Sequence, residues 1–415
     1  MKKFYAWYQK HITGAIFTGL ILGILTGLLL ADRFTPILTV TGVIGGIYMN
    51  ALNMMIFPMV FCSIVMGICS IGNAKTTGKI TGYSMIFFLC TTAIASAVGI
   101  IIPRLIRLGK GVHFEMATSD IQATEMTSIL DTIKNLIPSN PVKAFAEGNM
   151  LQVLVFAVVV GFTLIAVGEK GQPLLNVIDS LNEVCLKVIS TVMYFTPIGV
   201  FCLMTNVVAV NGADIIGKLA LIIGVAYIGY IVHVVVVYGL SVKFLAKMSP
   251  LAFFKGIAPA MITAFTTTSS NATLPVNIEC CNKMGAEPEI SSFVLPLGAT
   301  INMDGTAIYQ AVCAVFIACC YGVQLTLGDM AMIVLTATLA SVGTAGVSGA
   351  GMIMLAMVLT QVGLPVEGIA IIAGVDKLFD MGRTALNITG DATCALFISR
   401  LEREKAARKA AKAAK

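Results

Sequence analysis

Residues 368–398 read GIAIIAGVDKLFDMGRTALNITGDATCALFI, and this stretch decides the class of the fold. It is apolar enough to cross a bilayer, yet it carries Asp376, Asp380, Arg383, Thr384, Asn387 and Asp391. A charged side chain at the bilayer centre costs about 2.5–3.5 kcal/mol on insertion scales. Such groups persist only where they face one another, a water-filled cavity or a ligand. Asp376, Asp380, Arg383, Asn387 and Asp391 are separated by four, three, four and four positions. On a helix that spacing puts them on one face. One side of the segment therefore turns carboxylates, a guanidinium and an amide toward the protein interior.

The rest of the chain fits a membrane setting. It is 57% hydrophobic and 12% charged, with a mean hydropathy of +0.92, whereas soluble domains carry about 25% charged residues. The net charge of +6 gathers at the two ends, in MKKFYAWYQKH (1–11) and REKAARKAAKAAK (403–415). That placement is no nucleic-acid footprint. By the positive-inside rule both termini are expected in the cytoplasm, which requires an even number of full spans. ITGAIFTGLILGILTGLLLA (12–31) is too long for a signal-peptide core and no cleavage signature follows, so it reads as a retained first span. The eleven cysteines form no CxxC pair and read as small packing residues. His233, inside IVHVVVVYG, reads as packed or hydrogen-bonded rather than as a metal ligand.

Apolar segments fall at 12–31, 36–72, 78–106, 149–168, 173–210, 214–247, 288–320 and 366–399. A perpendicular helix needs about 20 residues to span, so the long segments tilt or protrude. Residues 107–148 form one polar connection, expected outside the cell. Gly19, Gly23 and Gly27 make a doubled GxxxG suited to close helix contact. Asp179, Glu183 and Lys187 share a helix face and read as an interface ladder.

Two further segments break in the middle. Residues 251–283 are interrupted by TTTSSNATLP (Thr266 to Pro275), and 329–361 by GTAGVSGAGM (Gly343 to Met352). Small and hydroxyl residues in a row cannot satisfy a lipid-exposed backbone, so each segment reads as a re-entrant hairpin. The first hairpin precedes a span containing NMDGT (302–306), the second a span containing NITGD (387–391). Paired discontinuous segments in corresponding halves point to a transporter's midplane site. NMDG should unwind its helix, because Asn and Asp compete for backbone and glycine is a poor helix former. Freed carbonyls and carboxylates are hard ligands suited to an alkali cation. Half-helix N-termini at the hairpin tips suit a substrate carboxylate.

NMDGT, the serine-rich tip ahead of TLP, GTAGVxGAG and DMGRTxxNxTGD resemble the glutamate transporter family, the dicarboxylate/amino acid:cation symporters. The paired-hairpin rule was itself drawn in part from that family, so the two readings are not independent. The resemblance implies an all-α polytopic membrane protein with eight transmembrane helices, two re-entrant hairpins and inverted repeats. It implies a homotrimer working as an elevator, in a bacterial-type inner membrane. Residues 1–250 would be mainly scaffold, with the third and sixth spans moving alongside the transport unit. Residues 251–402 would be that unit, built from hairpin 251–283, span 288–320, hairpin 329–361 and span 366–399, and 403–415 a basic cytoplasmic tail.

The resemblance also assigns residues. Asp380 would receive the substrate's amino group and Arg383 its second carboxylate, which a bidentate fork suits. Thr306, Thr384, Asn387, Ser270 and Val347 would make further substrate contacts. Ser348, Gly349, Ala350 and Gly351 would form the gate. Thr91, Thr92, Asn302, Asp304, Asn387 and Asp391 would hold co-transported sodium, with no organic cofactor. The chain departs from the family at four places. Thr268 and Met381 stand where archaeal and animal members respectively carry an accessory arginine. Ser348 replaces a tip proline, and Gln310 replaces the glutamate that couples protons and potassium in animal members.

The expected function is sodium-coupled uptake of aspartate or glutamate. Neutral amino acids and C4-dicarboxylates, with sodium or proton coupling, are the alternatives within transport. A structural reading also exists for two residues: Asp376 as a cap or ion-pair partner, and Arg383 as an internal partner of Asp380. A channel would not need an aspartate that reads an amine beside an arginine that reads a side chain. An enzyme needs a nucleophile with a base in reach, and no Ser–His or Cys–His pairing, HExxH or phosphate loop appears.

Overall fold

The computed structural model describes residues 2–30, 35–72, 78–106, 108, 137–147, 150–341 and 350–413. All regular structure among them is helical. The chain opens with α1 (Lys2–Leu30), α2 (Thr35–Asn53), α3 (Ile56–Gly72) and α4 (Gly78–Leu105). After a short α5 (Pro141–Ala146) come α6 (Met150–Val167), α7 (Gln172–Met193), α8 (Thr196–Asn211) and α9 (Asp214–Val232). A π turn at His233–Tyr238 leads into α10 (Gly239–Phe244). Then follow α11 (Pro250–Thr267), α12 (Ser270–Lys283), α13 (Pro288–Ile301), α14 (Asp304–Cys320), α15 (Leu327–Ser341), α16 (Ala350–Gln361), α17 (Ile369–Ala373) and α18 (Asp376–Ala413).

Two segments read as single apolar stretches are each a pair of helices. Segment 36–72 divides at Met54–Met55, and 173–210 at Tyr194–Phe195. The cause is proline. A helix running straight through would drive the rings of Pro58 and Pro197 against the carbonyls four residues back, Met54 and Met193. Among the described residues, four helical stretches are long and apolar enough to cross a membrane, at Lys79–Leu105, Val155–Met193, Ile215–Phe244 and Pro288–Cys320. The last of these is almost wholly buried by other helices, so its polar residues face protein.

The doubled GxxxG is spent within the chain. A Cβ at Gly23 would stand 2.7 Å from the Phe201 carbonyl oxygen, and one at Gly27 would stand 2.8 Å from that of Thr205. Only glycine lets α1 and α8 approach this closely. Asp179, Glu183 and Lys187 are exposed on α7, and among the described residues no ion pair joins them.

Residues 250–283 form two helices, α11 and α12, that pack on each other, and the break between them is narrower than TTTSSNATLP. Only Thr268 and Ser269 leave the helix, and Ser269 caps α12 by accepting from the Ala272 amide at 3.3 Å. α15 and α16 are the arms of the second hairpin, whose tip, with Val347, Ser348 and Gly349, lies outside the described residues. The NMDGT helix does unwind. Asn302 (φ −91, ψ 94) and Met303 (φ −119, ψ 47) separate α13 from α14. NITGD, the corresponding stretch of the second unit, does not interrupt its helix. α18 runs unbroken through it to Ala413, and the break lies upstream at Gly374–Val375. Asn387 leaves its own backbone alone because its amide is engaged by the α13–α14 break.

Candidate substrate and cation site

The packing that places the site is simple. α4 lies along α14, and α18 packs on α11, α13 and α14. The polar face of α18 is thereby turned onto the break at 302–303. Asp376, Asp380, Arg383, Thr384, Asn387 and Asp391 are all buried.

Arg383 is the centre of the outer cluster. Its Nε donates to Asp380 Oδ1 at 2.9 Å and its Nη1 to Asp376 Oδ1 at 3.4 Å. The guanidinium carbon stands 4.9 Å from the centre of the Tyr309 ring, a cation–π distance. Nη2 is buried and, among the described residues, has no hydrogen-bond partner. A buried guanidinium N–H without an acceptor is costly. Thr384 Oγ1 donates to the Asp380 carbonyl at 2.8 Å. Gly351, at the start of α16, packs directly on the guanidinium, so that any Cβ there would overlap it. Gly305, at the start of α14, is packed as tightly on the Arg383 backbone. Thr306 is buried one residue further along α14. Ser270 is buried at the first turn of α12, and no hydrogen bond ties it to the Asp380–Arg383 pair among the described residues. Ala350 begins α16.

A second, inner cluster is built on the unwound residues. Asn302 Nδ2 donates to Asp391 Oδ1 at 2.9 Å and to the Asn387 carbonyl at 3.1 Å. Asn387 Oδ1 accepts from the Gly305 amide at 2.7 Å, so it stabilises the first turn of α14. Asn302 Oδ1 is buried without a partner among the described residues. Asp304 accepts from Thr92 Oγ1 at 2.6 Å, from the Tyr238 hydroxyl at 2.7 Å and from His233 Nε2 at 3.1 Å. Thr91 lies beside Thr92, also buried, and its hydroxyl donates to the Phe88 carbonyl at 3.1 Å. Carboxylates, an orphaned amide oxygen and hydroxyls in a dry setting form a donor set suited to a hard monovalent cation.

The family model for the sodium:dicarboxylate symporters matches residues 12–401. The chain belongs to the sodium:dicarboxylate symporter family. It is therefore a multi-pass membrane protein of a transporter family and not an enzyme. A proton/sodium-glutamate symport protein of Geobacillus stearothermophilus is 34% identical over 395 residues, covering 93% of each chain. A proton/glutamate-aspartate symporter of Escherichia coli is 34% identical over 402 residues, covering 93% of this chain and 92% of its own. A C4-dicarboxylate transport protein of Rhodospirillum rubrum is 32% identical over 397 residues, covering 94% and 89%.

Within this symporter fold, sequence reasoning had not singled out Tyr309, Tyr238, Lys377 or the role of His233. Tyr309 follows Thr306 by three positions, which puts both on one face of α14, so helical spacing could have found it. His233 and Tyr238 are five apart and come together on Asp304 only because the helix is π there, with i to i+5 bonding. No sequence signal marks that turn. The hydrogen-bonded reading of His233 holds, with Asp304 as its partner. Gln310 is buried with both amide atoms unpartnered among the described residues.

Proposed function

We propose that this symporter takes up acidic amino acids, aspartate or glutamate, driven by sodium. The observation that carries the reading is Arg383 Nη2, buried beside Asp380 and, among the described residues, without an acceptor. A substrate carboxylate would supply that acceptor, and Asp380 would take the amine. Ser270, Thr306, Thr384, Asn387 and Val347 complete the substrate contacts in this reading. Ser348 to Gly351 act as the gate, and Gly351 already packs on the guanidinium. Sodium binds at Asp304 with Thr91, Thr92 and Asn302, and at Asp391 with Asn302 and Asn387. The working molecule is a homotrimer with eight spans and two re-entrant hairpins, in a bacterial-type inner membrane with both termini cytoplasmic. Residues 251–402, with α4 and α9, move as an elevator against the remaining scaffold. The close packing of α4 and α9 on α14 supports that grouping.

C4-dicarboxylates are the second reading, favoured by the name of the Rhodospirillum relative. Uptake in proteoliposomes separates the two. Labelled aspartate should accumulate on an inward sodium gradient and be displaced by glutamate but weakly by succinate. Accumulation driven equally by a proton gradient without sodium would overturn the coupling. Succinate competing as well as aspartate would overturn the amine-reading role of Asp380.

A further inference from the structure

Lys377 is an ionisable group at the start of α18 with no part in the substrate or cation contacts proposed above. It is half-buried at the second position of the helix, three residues before Asp380 and six before Arg383. Its Nζ donates to Thr268 Oγ1, at the tip of the first hairpin, at 2.5 Å and across 109 residues of chain. Two features make this contact costly to keep. A lysine in the first turn of a helix faces the positive end of the helix dipole. Thr268 is a buried β-branched residue in the left-handed region, at φ 53, ψ 33, where such residues are outliers. Its hydroxyl donates to the Thr267 carbonyl at 2.7 Å while accepting from Lys377. The contact therefore holds an otherwise unfavourable tip conformation against the helix that carries Asp380 and Arg383. Asp380, Asp376 and Arg383 all act electrostatically on Lys377, so the same lysine lies within the field of the outer cluster.

We infer that Lys377 is a positioning residue that latches the tip of the first hairpin onto α18, and so holds the Asp380–Arg383 cluster in the geometry that retains substrate. The inference rests on reading the Asp380–Arg383 cluster as the substrate site. A bond with one charged partner is about twice as strong as a neutral one, so its loss should be visible in kinetics. The base of this hairpin is tied to the far end of α18, where Arg403 Nη2 donates to the Gly285 carbonyl at 2.9 Å. The hairpin is thus anchored at its base, and the Lys377–Thr268 bond fixes its tip.

The test uses the full-length protein with Lys377→Met, Thr268→Val, the double variant and Lys377→Arg. Two readouts are needed: hydrogen–deuterium exchange of the 264–273 amides without ligand, and the dissociation rate of labelled aspartate at saturating sodium. Each single variant should speed tip exchange and raise the dissociation rate about tenfold, roughly 1.4 kcal/mol. The double variant should be no worse than either single, and Lys377→Arg should recover most of the effect. Additive effects would overturn the latch. So would a silent Thr268→Val beside a damaged Lys377→Met, which would make Lys377 a direct reader of substrate. A change in melting temperature alone would also overturn it. If the wild type binds no aspartate, the proposed function fails, while the exchange arm still decides the latch.

Discussion

Truncating Arg383 gives the sharpest test of substrate class. Arg383 is 2% exposed and bonds two carboxylates that are themselves buried. Truncating one partner of a buried, hydrogen-bonded charge pair costs about 2–5 kcal/mol. At 1.4 kcal/mol per decade, the affinity for aspartate or glutamate should fall by roughly 30-fold to several thousand-fold in Arg383→Ala. Serine and alanine have no second carboxylate to lose, so their affinity should hold or improve. Arg383→Lys should recover little, because an ammonium lacks the fork that spans Asp380 and Asp376 together. The assay is calorimetric or radioligand binding in detergent at saturating sodium, with all three proteins first shown to elute at the wild-type position. An acidic-substrate affinity within about threefold of wild type, under ~0.7 kcal/mol, would refute the role given to the guanidinium. A wild type that prefers neutral amino acids would refute it too.

Three other outcomes follow from the same geometry. Asp380→Asn should abolish amino-acid binding while leaving the oligomer seen by size exclusion unchanged, because Arg383 keeps Asp376 as a partner. Asp391→Asn should weaken the sodium dependence of substrate affinity more than it weakens binding at saturating sodium, since the two sites are linked reciprocally; equal losses in both would count against a cation at Asp391. Gly351→Ala should cut sodium-driven aspartate uptake by at least about tenfold, because the added methyl meets the Arg383 guanidinium. Wild-type uptake by that variant would show that the second hairpin does not close on the arginine.

Much of this site was legible because its logic is one of cost. A guanidinium and three carboxylates in an apolar helix at helical spacing can only face inward, and Asp376, Asp380, Arg383 and Asp391 do. Asn302–Met303 unwinds as its residue types suggest. NITGD, with the same residue types, stays helical because its asparagine is engaged elsewhere. Asn387 bonds the start of α14, and its own helix continues. Helix division at Met54–Met55 and Tyr194–Phe195 was available in Pro58 and Pro197, but hydropathy averages across a proline and hides it. Tyr238 and Lys377 were not legible. Each becomes functional only through a partner over 60 residues away, Asp304 in one case and Thr268 in the other.

The glycine edge of α1 also bears on where reporters can be placed. Gly23 and Gly27 admit no side chain, so a spin label or fluorophore there would wedge α1 from α8. Gly46 on α2 and Gly217 and Gly224 on α9 differ, with nothing within 4 Å of an added Cβ in the single chain. Cysteines introduced at 46 and 224 would put one probe on the first helices and another on a helix packed against α14. Their separation could then be followed by distance spectroscopy as sodium and substrate are added. The native thiols complicate labelling little: of the eleven, Cys90 is exposed, Cys319 is partly covered and the rest are buried.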